Sequence, residues 1–243
     1  MKKFLQILAV FVIGVAPVVA TNYAPEDIIE RARSTVGTAE KLDALVTLKL
    51  RATLEPAGTS VPAATLLIFA RKPCSQRLEI RVGDMVETTI LNGRKGCLVR
   101  SNLEVGASQM RVLADAELAR VRYTTRQFFN FYRPDFKNGE KVAYEGTHSY
   151  RGHRVHKLRY AYSDGLETIR YFSVNEDELL AVVSENDIES INIGRQVIDG
   201  ITYPERIDYY ENDEKLHSVI LHQVQINKPL PAGIFEIPSE SEK

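Results

Sequence analysis

From Val46 onward, segment after segment of this chain alternates apolar and polar residues with a period of two. Val46, Leu48, Leu50, Ala52 and Leu54 alternate with Thr47, Lys49, Arg51 and Thr53, and Leu78, Ile80 and Val82 alternate with Arg77, Glu79 and Arg81. His156, Leu158, Tyr160 and Tyr162 do the same against Lys157, Arg159 and Ala161, as do Ile220, His222, Val224 and Ile226 near the end. Successive side chains of a strand point to opposite faces, so each segment predicts one dry face and one wet face. Turn signals separate the segments: Gly83-Asp84, Asn92-Gly93, Tyr150-Arg151-Gly152, Ser163-Asp164-Gly165, Asp199-Gly200 and Asn212-Asp213. About ten or eleven short strands at hairpin spacing predict a meandering antiparallel sheet.

Only a little of the sequence is helical in pattern. Pro25 to Val36 has Pro in its first turn, Glu26 and Asp27 at the positive end of the dipole, and Gly37 at its exit. Ala39 to Leu45 adds a further turn. Ala114 to Tyr132 carries the stripe Leu118, Val121, Phe128, Phe129 and Tyr132, with Asp115 as the expected N-cap and Pro134 beyond its end. A long sheet with one wet face needs cover on the other, and these helices are the cover available. The sheet must therefore curl around them, or partly around a cavity. No linker divides residues 21–238, which read as one domain, and residues 239–243 read as a frayed tail.

The N-terminus reads as an export signal. Lys2 and Lys3 precede the apolar run Phe4 to Val15, and Val18-Val19-Ala20 supplies the small or apolar residues of a cleavage site, so residues 1–20 are expected to be removed. The run is too short to cross ~30 Å of hydrocarbon, and Gly14 and Pro17 interrupt it. No cysteine follows the site to carry a lipid. The expected location is a periplasm, where function must proceed without ATP or a reducing pool.

Charge narrows the partners. The full chain has 31 basic and 32 acidic side chains; losing Lys2 and Lys3 leaves 29 against 32, a net of −3. Such a balance gives no general attraction for nucleic acid. At 44% hydrophobic and 26% charged the chain is too apolar for disorder, and two cysteines are too few for a disulfide scaffold. Cys74 and Cys97 flank opposite sides of one strand end in the predicted register. Their Cα atoms would lie roughly 10 Å apart, beyond the ~7 Å a bridge tolerates. A bridge stays open if Cys74 sits on a mobile turn after Pro73.

The catalytic inventory is mostly absences. There is no Gly-x-Ser-x-Gly elbow, no His-Glu-x-x-His and no phosphate-binding glycine loop. His148 and His153 could face each other across the Tyr150-Arg151-Gly152 turn, but His156, an odd number of residues from His153 on a strand, points to the other face, which opposes a three-histidine metal site. His156 and His222 sit on otherwise apolar faces and are expected to be neutral, hydrogen-bonded core residues. Glu176-Asp177-Glu178 lacks the spaced oxygens and glycine of a calcium loop and reads as a solvated turn. No catalytic residue, metal ligand or cofactor is assigned. Phe128, Phe129, Phe131 and Tyr132 go nearly all round a helix. They are either core plus a second packing surface, or a lid over an apolar groove suited to acyl chains.

These segments, in this order, resemble the LolA-like outer-membrane lipoprotein-sorting proteins. The similar stretches are Gly37-Thr-Ala-Glu-Lys-Leu42 leading into Val46–Leu54, Phe69-Ala-Arg-Lys-Pro73 with Gln76-Arg-Leu-Glu79, and the Asn92-Gly-Arg-Lys-Gly96 turn. Tyr150-Arg-Gly-His-Arg-Val-His-Lys-Leu158, Asp164-Gly165, Arg170-Tyr-Phe172, Asp199-Gly-Ile-Thr-Tyr-Pro204 and Ile226 to Pro238 continue the likeness over most of the mature chain. The resemblance implies an unclosed antiparallel half-barrel, helices covering its concave face, and a hydrophobic cavity for lipid or lipoprotein acyl chains. Cys97 departs from the aromatic residue that often follows the glycine turn in that family, and no residue here identifies the membrane partners a carrier needs.

Three functions are compatible with this. The first is a periplasmic carrier or binder of lipid or acylated lipoprotein in lipoprotein sorting, working with inner- or outer-membrane transfer components. Its expected cavity residues are Leu48, Leu50, Leu66, Ile68, Leu78, Ile80, Ile90, Phe128, Phe129, Tyr132, Leu158 and Ile220. The second is an envelope sensor or regulatory interaction module of the same fold. The third is a hydrolase with an unrecognised site, which the missing motifs disfavour.

Overall fold

A computed structural model describes residues 23–58, 60–184 and 186–238. The expected signal peptide and the expected tail at 239–243 lie outside the described residues. Helix α1 spans Pro25–Val36, the bounds its punctuation predicts. Helix α2 is the short Ala39–Asp43, where the Thr38 hydroxyl accepts the Lys41 N–H. Helix α3 spans Asp115–Asn130, and its N-cap is Ala114 rather than the expected Asp115. Ala114 has no side-chain acceptor, so the Glu117 carboxylate accepts the Ala114 N–H at 2.9 Å instead. Phe131 (φ 44) and Tyr132 (φ 73) turn left-handed and stop the helix two residues before its expected end.

The strands are β1 Thr47–Pro56, β2 Ala64–Arg71, β3 Ser75–Val82, β4 Met85–Asn92, β5 Lys95–Asn102 and β6 Ala107–Val112 before α3. After it come β7 Lys141–Tyr150, β8 His153–Ala161, β9 Glu167–Ser173, β10 Leu179–Ser184 and β11 Ile188–Ile193. The last are β12 Gln196–Ile198, β13 Ile201–Tyr203, β14 Arg206–Glu211 and β15 Glu214–Ile226. Thirteen form one antiparallel sheet in the order β6-β5-β4-β3-β2-β1-β15-β14-β11-β10-β9-β8-β7, while β12 and β13 pair as a separate ribbon. This exceeds the expected ten or eleven because six-residue strands such as β10 and β11 are too short for a clear alternation.

The sheet curls, and α3 shows by how much. Within about 6 Å along its axis, α3 donates from Thr125 to Gln76 of β3 and places Tyr123 against Tyr162, just past β8, and Gln127 against Arg170 of β9. Strands β3 and β9 are seven positions apart in the sheet order, which would be roughly 34 Å in a flat sheet. A helix ~10–12 Å across reaches both only if the sheet wraps around it. The sheet stays unclosed, with β6 and β7 as its two edges. The chain between those edges is α3 itself.

Register sorts the side chains. Leu48, Leu50, Ala52 and Leu54 share the inner face with Ala70, Ile68, Leu66 and Ala64, and through them with Gln76, Leu78 and Ile80. A bulge opposite Arg51–Ala52 breaks the alternation of β15. Val224 and Ile226 remain inside, but Ile220 pairs with Thr53 on the outer face. His222 follows it outward, exposed and bonded to the Thr53 hydroxyl at 2.7 Å, so the expected core role fails. His156 does take that role: it is buried, 3.2 Å from the Tyr144 hydroxyl, and burial followed by the charge of Arg31 holds its pKa below the usual imidazole range.

The cysteines are free. Cys74 lies on the inner side, its Sγ 3.9 Å from the Arg122 carbonyl of α3. Cys97 is buried on the outer face, in register with Ile90 and Arg77. The sheet stands between them.

Candidate functional site

Three apolar clusters line the inner face. In the first, α2 and the end of α3 close over the sheet: Leu42, Phe129 and Phe131 pack with Leu48, Leu50, Val224 and Ile226, and Ile68, Phe128 and Tyr132 lie against them. In the second, Ile28, Ile29 and Ala32 of α1 cover Leu158, Tyr160 and Phe172, with Tyr162 beside them. The third holds Ala52, Ala64 and Leu66 with the half-buried Leu54, Leu78, Ile80 and Val219, and contains no helical residue. The inner face is thus a trough, helix-covered at one end and bare at the other. Exposed Val61, Leu103 and Val105, on the β1–β2 and β5–β6 connections, and Met85, the first residue of β4, surround the bare end.

Ten of the twelve expected cavity residues fall on this trough or its helical cover. Leu48, Leu50 and Ile68 sit beneath Phe128, Phe129 and Tyr132; Leu66, Leu78 and Ile80 are in the bare part; Leu158 is under α1. Ile90 and Ile220 are not there. Both point outward by register, Ile90 beside Cys97 and Ile220 beside Thr53.

The cover is tethered by polar contacts. Arg33 donates to the carbonyls of Asn130 and Phe131 at 2.5 and 3.0 Å, satisfying acceptors at the end of α3. Thr125, fully buried, donates to Gln76 Oε1 at 2.9 Å. Arg126 pairs with Glu140 and Asp164, each at 3.4 Å. Arg170 donates from Nη2 to Gln127 Oε1 at 2.5 Å and to the Tyr162 hydroxyl at 2.8 Å. Burial raises the Tyr132 and Tyr160 pKa values to about 12, so both phenols are neutral at ordinary pH. Sequence reasoning missed Gln76, Thr125, Gln127 and Arg170. A signal existed for two: Gln76 stands at the parity of Leu78 and Ile80, and Arg170 at that of Phe172.

At its start α3 is held by charge. Arg111 bonds both Glu117 oxygens at 2.7 Å. That pairing, followed by the Ala114 N–H, lowers the Glu117 pKa to about 2. A lowered folded-state pKa contributes stability above the ordinary value of 4.5, lost as pH falls toward 2. The first turn of α3 is therefore expected to hold at pH 5 and above and to fray between about pH 4.5 and 2. Carbon-13 titration of the Glu117 carboxyl, alongside amide exchange at Glu117–Leu118, measures this; a midpoint near 4.5 would contradict it.

The covered trough is tight. A cavity of about 270 Å³ lies between α1 and the β10–β11 region, lined by Tyr132, Leu179, Asn192 and Tyr203. Another of about 280 Å³ at the bare end is lined by Ile80, Val82, Met85 and Arg100. Both are just below the ~300–1,000 Å³ usual for small-ligand sites. Among the described residues no group of three or more histidine, cysteine, aspartate or glutamate side chains is arranged to hold a metal, and no helix is long and apolar enough to cross a membrane.

No protein-family model matches the sequence, and no curated protein does. Among solved structures, the chain is similar to a DUF1329 family protein from Desulfovibrio piger: TM-score 0.57, 10% identity, 87% of this chain and 96% of that one. It is also similar to a LolA superfamily protein from Nitrosomonas europaea: TM-score 0.55, 12% identity, 88% of this chain and 97% of that one. At such identities the likeness speaks for the fold alone. The chain has the LolA-type fold that its segment order implied, an antiparallel sheet curled around helices and left unclosed.

Proposed function

We propose that this protein binds acyl chains, carried by lipid or acylated lipoprotein, in the inner trough, with α3 as a movable cover and no chemistry performed on the cargo. The observation that carries this is the half-buried group Leu54, Leu78, Ile80 and Val219 around buried Leu66, which no helix covers and which continues the core of Leu48, Leu50 and Phe129 without a polar break. Each buried methylene is worth ~0.8 kcal/mol, so about eight contribute ~6 kcal/mol. Release then requires that opening α3 cost a comparable free energy, returned when it recloses, and its polar tethers supply that counterweight. Export through residues 1–20 would place the activity in the periplasm, where membrane transfer components would load and unload it.

A fluorescent acyl methyl ester tests the reading. It is expected to bind the mature protein, and Leu78→Asp with Ile80→Asp is expected to weaken binding at least ~10-fold while preserving the fold, since burying either leucine or isoleucine is worth ~1.5–3 kcal/mol. Unchanged affinity in that double variant would remove the trough as the site.

A further inference from the structure

We propose that Arg170 is the receptor for an oxyanionic head group, so that the ligand is an acyl chain ending in a carboxylate or phosphate; this rests on the acyl-chain reading above. Arg170 lies on the inner face, in register with Leu158 and Val182, and is 2% exposed. Removing a guanidinium from water costs several kcal/mol unless charge and hydrogen bonds compensate. Here no carboxylate of the described residues forms an ion pair with it. Both bonds from Nη2 go to neutral oxygens, on Gln127 and Tyr162. Nε and Nη1 are buried without a hydrogen bond of good geometry, and the neutral Tyr123 and Tyr160 phenols are the other oxygens that act on the charge.

The equally buried Arg33 makes the contrast. It has two backbone carbonyls and the carboxylates of Glu30 and Asp43. Arg170 has no carboxylate or backbone carbonyl but neutral side-chain oxygens, those of Gln127, Tyr162 and the nearby Tyr123, and aromatic faces: its guanidinium carbon is 4.0 Å from the Tyr160 ring centre and 5.9 Å from that of Tyr132. Those rings favour a cation but carry no negative charge to match it. A buried positive charge with idle donors is a site prepared for an anion.

The same helix hides this charge and the trough. Gln127 caps Arg170, while the next two residues, Phe128 and Phe129, lie over Leu48 and Leu50. Moving α3 therefore uncovers a cation and an apolar surface together, the two halves of an anionic amphiphile's complement. An oxyanion taking Gln127's place supplies the acceptors that Nε and Nη1 lack. The left-handed Phe131 and Tyr132, conformations that non-glycine residues adopt at a cost, sit where α3 ends and would bend.

A fluorescent fatty acid and its methyl ester decide the matter on the intact mature protein. The acid is expected to bind at least ~10-fold more tightly, a preference worth ~1.4 kcal/mol. Arg170→Met should abolish the preference yet keep ester affinity, and Arg170→Lys should keep part of it. Equal affinities in the parent protein, or a preference surviving in Arg170→Met, overturns the proposal while leaving the acyl-chain reading intact; failure of both probes to bind overturns both. Should Arg170→Met not fold, the Arg170 Nε–H nuclear magnetic resonance signal of the parent is expected to move with the acid and not with the ester. An unmoved signal is equally fatal. Displacement of the acid by phosphatidylglycerol, with none by inorganic phosphate, identifies a lipid head group; displacement by inorganic phosphate at equal concentration would overturn the link to acyl chains.

Discussion

Replacing Phe172 by alanine is expected to lower the unfolding free energy by about 3–5 kcal/mol. Phe172 is fully buried beneath α1 and meets the Tyr132 ring edge-on at 5.5 Å. Its loss removes transfer energy and leaves a hole that neighbours on a pleated strand fill poorly. Because Phe172 packs with Leu158 and Tyr160 under α1, the damage should centre on the α1 side of the sheet. Urea unfolding followed by far-ultraviolet dichroism gives the number, and a loss under about 1 kcal/mol would mean that this core is not packed as described.

The second large effect concerns motion. Thr125→Val is nearly isosteric, yet it takes the hydrogen bond from Gln76 Oε1 and leaves that buried acceptor unsatisfied, at about 1–3 kcal/mol. The penalty falls on the docking of α3 rather than on the sheet, where Gln76 still pairs by its backbone with Ala70 and Leu91. The open population of the cover is therefore expected to rise about 5–150-fold. Amide exchange should quicken across Ala119–Phe129 while β1 and β2 stay protected. Uniform quickening in both regions would show that α3 does not move independently.

Some of this was legible in advance, for identifiable reasons. The bounds of α1 coincide with expectation because Pro25, Glu26, Asp27 and Gly37 act locally. Strands β1 and β3 were readable because one face of β1 is apolar from Leu48 to Leu54 and one face of β3 from Leu78 to Val82. Ile90 was misplaced because Ile90 and Leu91 are adjacent, so alternation cannot say which points inward; pairing chooses Leu91, in register with Gln76. Ile220 and His222 were misplaced because the β15 bulge inserts one residue and reverses everything before it, a change of parity without sequence punctuation. The contacts of Thr125 with Gln76 and of Gln127 with Arg170 join residues 49 and 43 positions apart, and no local pattern anticipates them.

The strand order has a kinetic consequence. Strand β1 pairs with β15, so the midline of the sheet is closed by the first and last strands of the described residues, Leu48 beside Ile226. The hairpins on either side can form from neighbouring segments as soon as they exist, but the seam waits for the C-terminus and for the slow closure of a very long loop. A chain that emerges N-terminus first is thus two unjoined half-sheets until its final strand arrives. The architecture delays its own completion, leaving the middle of the sheet as the last join to form.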